Sequence, residues 1–577
     1  MTSSTICSHH RIRTVLLMCV VLLSASLHAQ AQNKETRINL NIRNATLESF
    51  VKQLENATGF SFIYGEEVKL THRITLEMKQ KNISEILQRA FENEPITFEI
   101  SGKHILLHKR PVPQKPVSRK FTISGYVTDG ASSETLIGAN ILESRRSTGT
   151  ATNPFGFYSL TLPEGETELV FSYLGYESRH SRFELTKDTL LNVRLDSNNQ
   201  LAEVVVLSDK REAGIESTAM GAHEIPMTQI RHTPSILGEA DLLKTIQLMP
   251  GVQAGMEGFA GMYVRGGGPD QNLVMLDGIP VYNADHLLGV FSIFTPEAVK
   301  NTTLFKSSFP ARYGGRLSSI VDVRTNDGDM HKYHGAFSIG LLTDKLHIEG
   351  PIWKERTSFS FSARAIPTLF FKNLIVDKDD TFSDKSNFYF YDVNVKVNHK
   401  FSNRSRIFLS FYKGKDHYHY DSYYHGDNYD NSIKNYSKDN SHLNWGNTIA
   451  YGRWNYVFNS KLFCNTTVSY NKYEMGLDGN MEDTYTVANK VQDRYYYSSK
   501  FDSGIRDWSA RMDFDYTPIP QHHIKFGAEY IHHTFRPGIA TSKIQDIDNG
   551  ALQEDTVYNT SNSHAMRGQE ISLYAED

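Results

Sequence analysis

Cysteine is scarce in this chain: three in 577 residues, two of them, Cys7 and Cys19, within the first twenty. Only Cys464 lies beyond, so no framework of disulfides within the chain holds the fold together. Long apolar runs are missing too. Past the N-terminus no stretch offers about 18 consecutive apolar residues, which excludes a membrane-spanning helix there. The charges nearly cancel: 61 Lys and Arg stand against 65 Asp and Glu, a net −4. That balance gives no electrostatic footprint for nucleic acid. Nucleophile–base pairs and metal-ligand spacings are also wanting, so no catalytic residue, cofactor or metal site is expected.

What is present begins with an export signature. Arg11 and Arg13 flank the apolar run Val15–Leu23, which is too short to span a bilayer as a helix. Ala29–Ala31 supplies a small-residue cleavage site, so residues 1–31 read as a signal peptide. An exported chain without a later apolar helix is either soluble or crosses a membrane as a β-barrel.

Residues 36–108 repeat one strand–helix–strand pattern twice. Ile38, Leu40 and Ile42 alternate as a strand face, and Leu47, Phe50, Val51 and Leu54 follow at helical spacing. Ile74, Leu76 and Met78 open the second unit, where Asn82 and Glu85 are placed to cap a helix carrying Ile83, Ile86, Leu87 and Ala90. This pattern predicts a small α+β domain and resembles the secretin and TonB N-terminal (STN) signalling module. Residues 109–120, rich in proline and positive charge, read as a stiff linker. Short strands at turn-punctuated spacing over 121–196 predict a β-sandwich. Gly125, Val127 and Asp129, then the run Thr152–Leu160 and later Ser172–Tyr176, resemble the carboxypeptidase regulatory-like domain, here a spacer without peptidase chemistry.

In the linker 197–232 one β-branched run stands out, Glu203, Val204, Val205 and Val206. Such a segment can add a strand to another protein's sheet, main-chain bonds giving affinity and alternate side chains specificity. The alternative is the last strand of the preceding sandwich.

Residues 233–327 carry the most specific pattern. A helix-like stretch Leu237–Pro250 precedes Arg265, Gly266, Gly267 and Gly268; a hairpin turns at Asp277 and Gly278, where both positions require positive φ. Ala311–Arg316, containing Gly314 and Gly315, then precedes Ile320–Arg324. A phosphate-binding role for the glycine cluster is excluded by Pro269 and Asp270, which make a turn where a helix would have to start. The ordered series resembles the plug domain of TonB-dependent receptors along nearly its whole length. By that resemblance Glu203–Val206 corresponds to the TonB box, and Arg265 and Arg316 to plug arginines that pair with carboxylates on a barrel wall. Loops 253–263 and Tyr282–His286 correspond to plug apices. The stretch Phe305–Arg316 departs from the motif usual in glycan importers.

From about Lys332 the pattern becomes dyad. Trp508, Ala510, Met512, Phe514 and Tyr516 alternate with Ser509, Arg511, Asp513 and Asp515; after the turn Thr517–Gln521, Ile524, Phe526, Ala528 and Tyr530 alternate with Lys525, Gly527 and Glu529. A water-lined lumen accepts charges on the second face, and strands of about 9–11 residues suit a tilted span. Leu462, Cys464, Thr466, Val468 and Tyr470 place Cys464 on the outer face. The segment Lys413–Asn440, dense in Tyr, His and Asp, reads as one long outer loop, and His417, His419 and His425 as a solvated or ligand-contacting face. Residues 331–577 hold about half the strands that a plugged transporter of roughly 22 strands needs, so a barrel cut short is expected, as a fragment or a truncated gene product.

The fold class predicted is thus multidomain: a small α+β signalling domain, a β-sandwich, an α+β plug and a truncated antiparallel transmembrane β-barrel. The resemblance implies an outer-membrane receptor importing a scarce nutrient, such as a ferric siderophore, with periplasmic N-terminal domains. Its partners would be TonB, an anti-sigma regulator, the small nutrient ligand and outer-membrane lipid. Oligosaccharide uptake, or a surface adhesin or sensor without transport, are the alternatives.

Overall fold

A computed structural model of the chain describes residues 37–65, 68, 73–92, 94, 96–109, 119–198, 221–225, 227–233, 239–255, 261–367, 376–378, 382–427, 432–519, 521–559 and 564–577. The signal-like segment and Glu203–Val206 lie outside the described residues. Two compact units are present, residues 1–117 and 118–577.

The first unit is the expected α+β module. Helix Leu47–Thr58 starts at Thr46, whose side chain accepts from Ser49 N, and ends on Gly59. Helix Ile83–Ala90 is capped by Asn82, whose side chain accepts from Glu85 N at 2.8 Å. Ile38–Thr46 pairs antiparallel with Arg73–Lys81, and Ser61–Tyr64, His104–Lys109 and Ile96–Ser101 form a second sheet. Leu47, Phe50, Leu54, Ile86, Leu87 and Ile105 are buried together.

The second unit opens with the sandwich. One sheet joins Arg179–Leu185, Gly165–Ser172, Asn140–Glu143 and Thr148–Ala151; the other is built on Lys120–Asp129. Ile123, Val127, Ile141, Leu160, Leu169 and Phe171 close its core.

The plug sheet runs in the order Ala222–Ile225, Val299–Phe305, Ser319–Thr325, Asn272–Leu276, Ile279–Pro280. Ala222–Ile225 was expected in the linker; its backbone pairs with Thr302–Phe305 and so makes it the edge strand of the plug. Val321 and Val323 face one buried cluster and Ile320 another, so the central strand is covered on both sides. The helix is shorter than its periodicity suggests, Leu242–Gln247, because Asp241 caps it at Lys244 N. The hairpin turn forms as predicted, with Asp277 at φ 52° and Gly278 at φ 82°.

From His334 onward the described residues make a twelve-stranded antiparallel sheet. Its strands from Phe382 to Asp548 are far longer than a span requires: Ser405–Asp427 has 23 residues, Ile433–Asn459 27 and Lys490–Ile519 30. The stretch read as one long loop, Lys413–Asn440, is mostly this strand pair, in register from Ser405↔Tyr456 to Asp427↔Lys434. Its polar composition reflects strand ends that stand in water on both faces, where alternation of apolar and polar residues has nothing to select it. At the other end the connections are short, between Ser402 and Ser405 and between Asn459 and Leu462. No helix among the described residues is long and apolar enough to cross a membrane.

Candidate functional site

The dyad pattern divides the sheet into two faces. Trp508 and Met512 lie exposed on the outer one, while Asp507 and Arg511 face the plug. Cys464 shares the outer-face register, buried among its neighbours. Successive strands present polar side chains to the plug, and the segment Pro280–Leu287 is gripped by them in turn. Asn471 donates to Pro280 O at 2.7 Å, Tyr282 donates to Asp507, and Asn447 donates to Asn283 O.

His286 is the centre of this grip. Its Nδ1 lies 2.7 Å from Asp416 Oδ2 and its Nε2 2.8 Å from Asp392 Oδ1, with the ring stacked on Phe390 at 4.3 Å. Both ring nitrogens donate only in the imidazolium form, so the seat as built holds a cation between two carboxylates. Leu287 N adds a bond to Asp416 Oδ1 at 3.1 Å. Asp392 also accepts from Tyr412 and takes Arg364 at 2.7 and 2.9 Å. Arg364 is 1% exposed, and a guanidinium so deep is tolerable only fully bonded. Its remaining donors reach Ser292 O and Glu239. Glu239 in turn pairs with Lys345 at 2.9 Å.

A second cluster secures the base of the plug. The Asp277 carboxylate, beyond serving the turn, accepts from Thr325 N and Thr325 Oγ1. Lys396 of the wall lies 3.4 Å from Asp277 and 2.9 Å from Asp327, and Lys300 pairs with Asp327 at 2.8 Å. Arg453 of the wall donates to Asp277 O. Gly278 brings the turn against Arg324 and Arg453, where a Cβ would sit 3.5–3.6 Å from their guanidinium nitrogens.

Among the described residues, the two arginines expected to hold the plug meet plug atoms. Arg265 occupies the first position of a tight turn at φ 50°, ahead of Gly266 at φ 87°, which lays its side chain along the plug surface toward Ser307. Arg316 donates to its own neighbour, Gly315 O. Neither forms an ion pair with a described wall residue. Arg312 makes the contact instead, meeting Glu576 at 3.5 Å while its carbonyl accepts from Arg511. Gly267 approaches Ser318, and Gly314 and Gly315 form the bend after Tyr313. Apart from His286 and Arg312, the described ion pairs across the seat set wall cations on plug carboxylates. His286 was named only as the end of an expected apex loop and Asp416 lay within the segment read as an outer loop, and the wall residues Arg364, Asp392 and Lys396 were not singled out by sequence. Their signal was a charge on the lumen face of a dyad strand; which plug atom each one meets is a matter of register, legible only in three dimensions.

Tyr282–His286 is therefore a clamped segment; just beyond it Leu287 and Leu288 take φ 53° and 55°, and Leu288 is 68% exposed at the tip. The loop 253–263 is described at its ends, as the hairpin Val252–Ala254 with Met262–Val264. His419 lies 2.7 Å from His442 and 2.6 Å from Asp421. Among the described residues no group of three or more His, Cys, Asp or Glu is placed to hold a metal ion.

The sequence matches two family models, a CarboxypepD_reg-like domain over residues 123–206 and a TonB-dependent Receptor Plug Domain over residues 217–319. The TonB-dependent receptor SusC of Bacteroides thetaiotaomicron is 24% identical over 229 residues, which is 37% of this chain and 21% of that protein. The match thus spans about a fifth of the relative's length. Among solved structures, the ferric yersiniabactin uptake receptor FyuA of Yersinia pestis is 11% identical at a TM-score of 0.30, covering 62% of this chain and 61% of that one. The ferripyoverdine receptor of the Pseudomonas aeruginosa outer membrane is 10% identical at a TM-score of 0.26, covering 94% and 87%.

Proposed function

Because the chain belongs to the TonB-dependent receptors, β-barrel proteins of the outer membrane, we propose that it imports a scarce nutrient across that membrane, driven by TonB. The observation that carries this reading is the plug's seat: a folded domain held in the lumen by buried ion pairs and hydrogen bonds, with apolar contact concentrated at Phe408, Tyr412, Ile449 and Tyr451 of the wall. Polar contacts of this kind exchange for water or for one another at modest net cost, whereas an apolar interface loses its whole area term when separated. A domain that must stay put and yet move on demand fits such a seat.

In this reading Glu203–Val206 is the TonB box, adding a strand to TonB. The N-terminal α+β unit reports occupancy to an anti-sigma regulator. The cargo is a ferric siderophore or an oligosaccharide. Above the seat five strands place Phe388, Tyr418, Leu443, Leu477 and Phe501 opposite one another on the plug-facing side. Flat aromatic and apolar faces suit catecholate rings and sugar rings alike.

The test is growth of a receptor-deleted host on ferric siderophores as the iron source and on oligosaccharides as the carbon source, with the wild-type chain or Val205→Pro. Val205→Pro removes a main-chain donor from the box and is expected to abolish uptake of whichever ligand supports growth, while surface binding persists. Undiminished uptake by the variant overturns the box; uptake by neither chain, with binding intact, favours the adhesin or sensor reading.

A further inference from the structure

The most conspicuous motif of the sandwich lies outside its own core. Thr152–Phe157 projects toward the short-turn, periplasmic end of the sheet. Asn153 stiffens it, its Oδ1 accepting from Phe155 N and Phe157 N at 2.9 and 3.0 Å. Phe155 and Phe157 both stack on Phe463 of the wall, at 5.6 and 5.1 Å. Arg453 of the wall and Arg324 of the plug stand over the Phe155 ring at 5.4 and 5.9 Å. Asn153 Nδ2 donates to Asp515 at 2.6 Å. Behind the loop a cavity of about 60 Å³ separates plug from wall, lined by Arg312, Arg324, Arg453 and Asp513 and, from the sandwich side, by Pro154 and Phe155.

Contacts around the loop bind the sandwich to both partners. Ser159 donates to Ser460 O at 2.8 Å, in a short turn of the sheet. Ser133 lies 2.7 Å from His331, and Met330 N donates to Ser132 O at 2.9 Å. Glu134 accepts from the backbone of Asp327 and Gly328, where the plug passes into the first strands. A spacer would have no need of a rigid aromatic tip aimed between two other bodies.

We propose that the sandwich is the inner lock of the plug: the Asn153–Phe157 loop wedges between plug and wall at the periplasmic mouth, and the plug rearranges only after that loop withdraws. Arg324 and Arg453 gain an aromatic face in place of water, so they lose a partner when the wedge leaves. The lock depends on the plug and the strands and not on the cargo; absence of driven uptake would leave it standing, and loss of the lock would leave the import reading standing.

The test uses the full chain in lipid nanodiscs with Cys464→Ser as background. Ser133→Cys with His331→Cys is expected to be bridged by a short bifunctional thiol crosslinker in most molecules, the linker replacing the imidazole that spans the gap at 2.7 Å from Ser133. The bridge is expected to slow amide exchange of Ser319–Thr325 at least fivefold. Phe155→Ala is expected to speed exchange of the same strand about tenfold while Gly165–Ser172, in the sandwich interior, is unchanged. Should Phe155→Ala loosen the sandwich itself, Asn153→Ala, which keeps both rings, is read instead and is expected to give a threefold increase. Failure to crosslink while each single cysteine reacts with maleimide overturns the docking. Exchange of Ser319–Thr325 within twofold of the parent in the wedge variants overturns the lock.

Discussion

His286→Ala is the sharpest test of the plug's seat. The imidazolium makes two charge-assisted bonds of 2.7 and 2.8 Å to Asp416 and Asp392. Bonds of this class contribute roughly 1.5–3 kcal/mol each. The two carboxylates fare differently once the ring is gone. Asp392 keeps Arg364 and Tyr412, whereas Asp416, almost fully buried, keeps only Leu287 N among the bonds described. Stranding one member of a buried pair costs about 3–5 kcal/mol, and the loss of ring stacking on Phe390 adds a smaller amount. The expected destabilisation of the seat is therefore ~3–5 kcal/mol, equivalent to two to four decades in local opening at roughly 1.4 kcal/mol per decade. Amide exchange over Asp285–Ser292 in nanodiscs reads it directly, since local opening sets that rate. Adding Asp416→Asn to His286→Ala should recover more than 1 kcal/mol, because the uncompensated charge is then gone. A rise of less than tenfold in the single variant, or no recovery in the double, would refute the claim that ionic contacts hold the plug.

Other perturbations separate the remaining contacts. Lys396→Met takes the wall cation from Asp277 and Asp327, which keep Thr325 and Lys300 respectively, and is expected to lower plug stability by roughly 1.5–3 kcal/mol, seen as faster trypsin cleavage within the plug. Asp277→Asn preserves the turn, because Asn accepts φ near 52°, so its cost measured the same way isolates the loss of the carboxylate; a change below about 0.5 kcal/mol would assign Asp277 to the turn alone. Burial pushes the Glu134 carboxyl above the usual range, with Asp327 and Glu349 adding to the rise and Lys300 opposing it. A carboxyl raised on docking stabilises the docked state below its free pKa and loses that contribution as pH rises through the docked value. Spin-label distances between sandwich and plug should therefore lengthen between about pH 4.5 and the raised value; His331 and Lys396 also face this site, and Glu134→Gln, which keeps the backbone acceptor, should flatten the Glu134 share of the profile.

How much of this was legible beforehand follows from the range of each interaction. Local rules worked where the determinant is local. The Asn82 cap, the Asp277–Gly278 turn and the alternation through Trp508–Tyr516 each depend on residues adjacent in sequence. They failed where a surface changes solvent. The ends of Ser405–Asp427 and Ile433–Asn459 carry polar residues on both faces and so look like loop, although their backbones pair throughout. They failed again where a charge could choose among partners. Arg265, Arg312 and Arg316 read alike in one dimension, and only the third shows that a positive-φ turn spends Arg265 on Ser307 while Arg312 meets the wall. The site was foreshadowed as a class, charges on a lumen face opposite a plug, and not as a set of pairs.

The paired strand ends have a consequence for how the molecule meets its surroundings. A strand of 27 residues, rising ~3.4 Å per residue and tilted by ~40°, climbs ~70 Å along the membrane normal, against an apolar band of ~25 Å. Some 40 Å of sheet thus stands clear of the lipid as a stiff chimney wall. A solute arriving there is confined to a surface while still far from the plug, so its search for the seat is a descent along a wall and no longer a three-dimensional one.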